Sequence, residues 1–108
     1  MKPVDTSFCL AHLLVCVNQR HNSALPCCAS GDAEAIYQKL RAWIEAHDML
    51  SRIWITRTEC LGWCHVNGGT VAIYPQNIWV RAMTLEDCDA LIEEHLQPLL
   101  SRTSPRER

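Results

Sequence analysis

Most of the cysteines in this chain lie in two short segments, each of which follows a stretch with the composition of a β-strand. The first segment starts at Cys16, at the end of the apolar run 12–17, and the second follows the run 52–58. The chain has seven cysteines in 108 residues. An odd number cannot form a fully paired disulfide framework, and a chain of this length can bury a core without disulfides. The cysteines therefore indicate metal or redox chemistry, for which a reducing compartment such as the cytoplasm is the expected setting. The cysteines of these two segments are Cys16, Cys27, Cys28, Cys60 and Cys64.

The hydrophobic pattern predicts a strand, a helix and a second strand in the first half of the chain. Residues 12–17 are continuously apolar after His12, as expected for an interior strand covered on both faces. Apolar side chains recur at three and four positions over residues 32–48, which predicts an amphipathic helix with Asp32 as its N-cap. Residues 52–58 are rich in β-branched side chains and predict the second strand.

The second half of the chain predicts a β-hairpin and a second helix. Residues 70–74 and 78–81 have strand composition, and Asn77 in the turn between them tolerates a positive φ. Residues 84–87 resemble a capping box that starts a helix, and Cys88 falls on the apolar face of that helix. The second helix completes a β-α-β, hairpin, α order.

This order predicts an α/β domain with a mixed four-stranded sheet flanked by helices. A right-handed crossover makes the first two strands parallel, so the loops that follow them emerge at the same edge of the sheet. Cys16 is then expected to lie near Cys60 and Cys64. The Cys27-Cys28 pair precedes the first helix, whose N-terminal dipole favours an anionic group.

Charge and hydropathy exclude several classes of partner. The formal net charge is -2 with acidic and basic residues interspersed, which gives no electrostatic reason to expect nucleic acid or a membrane surface as a partner. No apolar run approaches the roughly 20 residues of a membrane helix. We therefore expect a soluble single domain over residues 1–100, a disordered tail over residues 101–108, and proteins as partners.

Four of the cysteines suit an iron-sulfur cluster. A 2Fe-2S cluster requires four thiolates as two pairs, and Cys60 and Cys64 supply one pair from a short loop. A zinc site or incidental buried thiols are the alternatives, although the gap from Cys16 to Cys28 is wider than the usual spacing of zinc ligands. A dithiol oxidoreductase is disfavoured because no Cys-x-x-Cys motif lies between the first strand and the first helix.

The remaining cysteines and one histidine are predicted to lie outside the ligand set. Cys9 and Cys88 are expected to be structural, because a free buried thiol behaves as a small hydrophobe. His65 follows Cys64 directly, but ligation by histidine in Rieske centres uses two histidines on one iron.

Three segments carry a family resemblance. A strand ending in cysteine, followed by an arginine and by a loop with proline and cysteine, spans residues 15–20 and 25–31. A Cys-x-x-x-Cys motif follows at residues 59–64, and a Gly-rich turn with a strand ending in Tyr-Pro follows at residues 68–79. Over residues 12–96 the chain resembles the thioredoxin-like 2Fe-2S ferredoxins, which are related to the 2Fe-2S subunit of respiratory NADH dehydrogenases.

The resemblance implies both a ligand set and a function. The family's second cysteine position matches Cys28, with Cys27 in reserve, so the implied ligands of the 2Fe-2S cluster are Cys16, Cys28, Cys60 and Cys64. The implied function is that of a cytoplasmic, homodimeric one-electron carrier between a donor and an acceptor redox protein, and not an enzyme. The alternatives are a structural or regulatory thioredoxin-like module that holds a 2Fe-2S cluster or zinc, and a subunit of a larger reductase.

Overall fold

The fold is a mixed four-stranded sheet packed against helices. The structure, a computed structural model, describes residues 1–17, 33–59 and 69–103. In these parts of the chain the strand order is β2-β1-β3-β4, and helix α1 connects β1 to β2. This architecture confirms the predicted α/β fold class. The elements are β1 (Ala11–Cys16), α1 (Ala33–Ala46), β2 (Ile53–Thr58), β3 (Gly69–Tyr74), β4 (Ile78–Met83) and α2 (Asp87–Leu91).

Strands β1 and β2 are parallel neighbours, as the crossover rule predicts. Their register pairs Ala11 with Ile53 at one end and Cys16 with Thr58 at the other. Strand β3 pairs with β1 in the antiparallel direction, and the β3-β4 hairpin completes the sheet. The C-terminal ends of β1 and β2 therefore lie side by side at one edge of the sheet.

The core lies between one face of the sheet and the helices. Leu13 and Val15 of β1 are fully buried, and they belong to the same apolar cluster as Ile36 and Leu40 of α1. Every residue of β1 is buried or half-buried, as predicted for an interior strand, although the side chains of His12 and Leu14 are less buried than those facing α1. The opposite face of the sheet carries large exposed aromatic side chains, and these are Trp54, Tyr74 and Trp79.

Among the residues that the structure describes, three that are not glycine adopt a positive φ. Asn77 in the hairpin turn has φ 59°, which confirms the prediction for that position. Ala82 has φ 56° near the end of β4, where the β3-β4 register shifts. Asp48 has φ 56° just after α1, and the next N–H group, that of Met49, closes the helix by donating to the carbonyl of Ile44 at 3.0 Å.

The C-terminal helix begins with half of the predicted capping box. The backbone N–H of Thr84 donates to the carboxylate of Asp87 at 2.9 Å. Beyond α2 the chain continues through a π-helical turn, Ile92–Leu96, and a 3₁₀ helix, Gln97–Thr103. Helical structure thus extends three residues past position 100, where we predicted the end of the domain. Residues 104–108 and the predicted N-cap Asp32 lie outside the described residues.

Within the described ranges, no helix combines the length and the apolar character that crossing a membrane requires.

Candidate metal centre

Cys16 is buried where the two parallel strands end. Its relative exposure is 0%, and its thiol donates a hydrogen bond to the backbone carbonyl of Glu59, 2.6 Å from Sγ. The bond crosses from the end of β1 to the residue that follows Thr58 at the end of β2. Because Cys60 is the next residue after Glu59, the chain leaves this contact directly into the second cysteine segment.

Helix α1 begins at the same place. Ala33, its first residue, is fully buried and forms a small apolar cluster with Cys16, against which Val17 packs. Val17 also packs against the main core and so connects the two clusters. Cys28 precedes Ala33 by only five positions in the sequence, and Ala33 packs on Cys16.

The end of β1 at Cys16, the residue Glu59 and the start of α1 at Ala33 thus lie together at one edge of the sheet. The parallel pairing of β1 with β2 is as predicted, and the candidate donor set suits a 2Fe-2S cluster, whose ligands are thiolates. Of the predicted ligands, Cys16 is the one that the structure places. Cys28, Cys60 and Cys64 lie outside the described residues, as do Cys27 and His65. The assignment of those ligands stays a prediction.

Cys9 lies at the opposite end of β1 from Cys16. It precedes the six-residue strand, so about 20 Å of extended chain separates the two residues. The Cys9 thiol donates instead to the carbonyl of Ala11 at 3.2 Å. Cys9 therefore cannot ligate the same cluster as Cys16.

Cys88 belongs to the main apolar core rather than to the edge of the sheet. It has a relative exposure of 0% and packs in the cluster that includes Leu91 and Leu96. Burial raises the pKa of the Cys88 thiol to about 11, so the thiolate that binds metal is disfavoured there. Within the parts of the chain that the structure describes, no group of three or more His, Cys, Asp or Glu side chains is arranged to hold a metal ion.

An ion pair that the sequence analysis did not find joins α1 to β2 near this edge. Arg57 donates to the Glu34 carboxylate through both Nε and Nη2, with N–O distances of 2.9 and 2.8 Å. The guanidinium also lies 4.0 Å from the centre of the Tyr37 ring. The hydrogen bonds from Arg57, followed by one from Gln38, lower the pKa of Glu34 to about 2. The two partners are 23 positions apart, and no local spacing rule relates a strand residue to a helix residue at that separation.

The fold of this chain is similar to that of a solved thioredoxin-like ferredoxin. No family model matches the chain. The wild-type thioredoxin-like [2Fe-2S] ferredoxin from Aquifex aeolicus, solved by crystallography, superimposes with a TM-score of 0.74 at 27% identity, covering 82% of this chain and 87% of that one. The fold is therefore that of the thioredoxin-like ferredoxins, as the sequence resemblance implied.

Two relatives identify the family. A 2Fe-2S ferredoxin from Aquifex aeolicus (strain VF5) is 30% identical over 88 residues, which cover 80% of this chain and 78% of the relative. A 2Fe-2S ferredoxin from Clostridium pasteurianum is 26% identical over 87 residues, covering 80% of this chain and 84% of the relative. The chain belongs to the thioredoxin-like 2Fe-2S ferredoxin family.

Proposed function

We propose that this protein is a one-electron carrier that holds a 2Fe-2S cluster at the edge of the sheet where β1, β2 and α1 meet. The observation that carries the proposal is that Glu59, which directly precedes Cys60, and Ala33, which starts α1, both contact Cys16 at the end of β1. Membership of the 2Fe-2S ferredoxin family supports it. The ligands in this proposal are Cys16, Cys28, Cys60 and Cys64.

The chain contributes an environment that stabilises negative charge. A 2Fe-2S cluster with four thiolates changes its formal charge from about -2 to about -3 when it accepts one electron. Helix α1 starts at Ala33, next to Cys16, and the free N–H groups and positive dipole end of a helix stabilise anions. Full burial of Cys16 keeps water from one side of the site. The number of backbone donors and the exposure of the site then tune the reduction potential.

The partners in this proposal are a donor and an acceptor redox protein. Each docks transiently at the cluster edge in the cytoplasm, and the protein has no substrate chemistry of its own. We place a homodimer contact at the β3-β4 hairpin, because β4 is an edge strand of the sheet and exposes Trp79. Light scattering of the purified protein tests the dimer, and a monomer at micromolar concentration would contradict that part of the proposal.

The decisive experiment is anaerobic purification followed by spectroscopy and metal analysis. We expect a red-brown protein with equal iron and sulfide that gains a rhombic EPR signal after reduction by one electron. A colourless protein that contains zinc would instead favour a structural or regulatory module. A cluster that cannot be reduced reversibly would exclude the role of electron carrier.

A further inference from the structure

The ion pair between Glu34 and Arg57 is built more tightly than an ordinary surface pair. Arg57 makes a two-pronged contact with the carboxylate, and Glu34 also accepts a hydrogen bond from Gln38 Nε2 at 2.8 Å. The Tyr37 ring supports the guanidinium from the same helix. By contrast, the pair between Arg41 and Glu45 on α1 has a single contact at 3.7 Å.

The position of the pair relates it to the candidate ligands. Glu34 is the second residue of α1, next to Ala33, which packs on Cys16. Arg57 pairs in register with Val15, one residue before Cys16, and precedes Cys60 by three positions. The pair therefore joins the helix end that follows one ligand segment to the strand end that precedes the other.

The exposure of the Glu34–Arg57 pair argues against a role in the stability of the fold alone. Both side chains are about half exposed, at 45% for Arg57 and 56% for Glu34, and exposed ion pairs add little to folding free energy. Their charges nevertheless lie at the edge of the sheet where the proposed cluster gains an electron, and charges within roughly 10 Å of each other interact with limited screening. A balanced pair presents almost no net charge to the cluster, whereas either partner alone presents a full charge.

We propose that Glu34 and Arg57 are positioning residues for the cluster: the pair fixes the relative placement of the two ligand segments and keeps the charge at this edge balanced. This inference rests on the proposed function. It makes a prediction about the reduction potential that differs in sign for the two partners. Glu34→Gln leaves a cation, which favours the more negative reduced state and raises the potential. Arg57→Gln leaves an anion and lowers it.

The test uses the full-length, cluster-loaded protein and two matched control variants. Glu45→Gln is the control for Glu34→Gln, and Arg41→Gln is the control for Arg57→Gln. Each control removes the same charge as its counterpart, but from the weaker ion pair on α1. For each protein the midpoint potential is measured by redox titration, and the rate of cluster loss is measured by the decay of visible absorption in the presence of a chelator. Arg57→Lys keeps the charge but loses the two-pronged geometry.

We expect opposite potential shifts for Glu34→Gln and Arg57→Gln, each larger than the shift of its control, and an intermediate potential for the double variant. We expect both single variants and Arg57→Lys to lose the cluster roughly fivefold faster than the wild type, the factor that a close ion pair supplies. The potential of Arg57→Lys should stay near that of the wild type.

Any other pattern overturns the inference. Shifts of equal sign would show that both changes merely loosen the structure, and variants indistinguishable from their controls would show that the pair is an ordinary surface contact. In either case the wild-type protein would still hold a reducible cluster, so the proposed function would stand. If the wild-type protein holds no 2Fe-2S cluster, the proposed function fails and the role of the pair fails with it.

Discussion

The Cys16 thiol and the Glu59 carbonyl are in hydrogen-bond contact although 43 positions separate them in the sequence. The parallel pairing of β1 with β2 creates this contact, because it brings both C-terminal strand ends to one edge of the sheet. The last residue of β1 and the first residue after β2 are thus held together by the fold. Cys16 therefore lies at a strand end, which a sheet holds more rigidly than a free loop.

The first prediction concerns Cys16 itself. Cys16→Ser should abolish the cluster or shift its visible and EPR spectra strongly, because a serine oxygen replaces a thiolate at a fully buried candidate ligand that contacts the end of β2 and the start of α1. Iron and sulfide analysis together with EPR checks the result.

Cys9→Ser is the control for this substitution. Cys9 precedes β1, at the opposite end of the strand from Cys16, so its replacement should leave iron content and spectra unchanged. A variant at Cys16 that keeps a wild-type spectrum would remove Cys16 from the ligand set.

The second prediction separates the adjacent cysteines before α1. Under the proposed ligand assignment, Cys28→Ser should lose or strongly alter the cluster, whereas Cys27→Ser should leave the EPR spectrum intact. The reverse result would move the assignment to Cys27. Two mild changes would indicate that either thiol can ligate.

The third prediction concerns Cys88. Cys88→Ser places a hydroxyl in the apolar core, and we expect the free energy of unfolding to fall by about 1–3 kcal/mol while the cluster spectrum stays the same. Urea unfolding measures the loss. A large loss of iron in this variant under folded conditions would contradict the structural role of Cys88.

The sequence predicted the parts of the fold that follow from local chemistry and from chain handedness. The parallel β1-β2 pairing follows from the crossover rule, and the positive φ of Asn77 follows from a residue type that tolerates it. The positive φ of Ala82 has no such signal, because alanine disfavours that conformation and the register shift in the hairpin imposes it. The position of α1 on the sheet likewise decides that Arg57 contacts Glu34.

The site shows the same division. The predicted parallel strands place the end of β1 beside the end of β2, because that relationship depends only on topology. The contact between Cys16 and Glu59 agrees with this prediction. The packing of Ala33 on Cys16 was not predicted, since a small apolar residue at a helix start carries no signal for its partner. Side-chain contacts between distant elements depend on the exact helix orientation, which hydrophobic periodicity does not determine.

The fourth prediction concerns Asp48, which lies two positions after the last residue of α1. Asp48 has φ 56°, and its carboxylate lies near the negative end of the helix dipole. Asp48→Gly should raise the free energy of unfolding by about 0.5–1 kcal/mol, because glycine adopts this conformation without steric cost. Asp48→Ala is the matched control: it removes the same charge but keeps the Cβ, so it should be less stable than Asp48→Gly. Equal stability of the two variants in urea unfolding would contradict the conformational argument.

The fifth prediction is a pH dependence that belongs to Glu34. Its pKa falls from the ordinary 4.5 to about 2 in the folded protein, first because of the hydrogen bonds from Arg57 and then because of the one from Gln38. A carboxyl group with a lowered pKa in the folded state stabilises that state above its unfolded pKa, and the stabilisation is lost as the pH falls through the folded value. The difference in Tm between the wild type and Glu34→Gln should therefore be constant above about pH 5 and shrink between about pH 4.5 and pH 2.

The wild type and Glu34→Gln share the acid sensitivity of the cluster and of all other groups. Taking the difference between their Tm values cancels that shared part. The control is the same comparison in an Arg57→Gln background, where Glu34 has lost the main cause of its low pKa. There the pH-dependent part of the difference should be much smaller, because the carboxyl group then titrates closer to its ordinary pKa in both the folded and the unfolded states. An unchanged pH dependence in the Arg57→Gln background would show that the ion pair does not lower the pKa of Glu34.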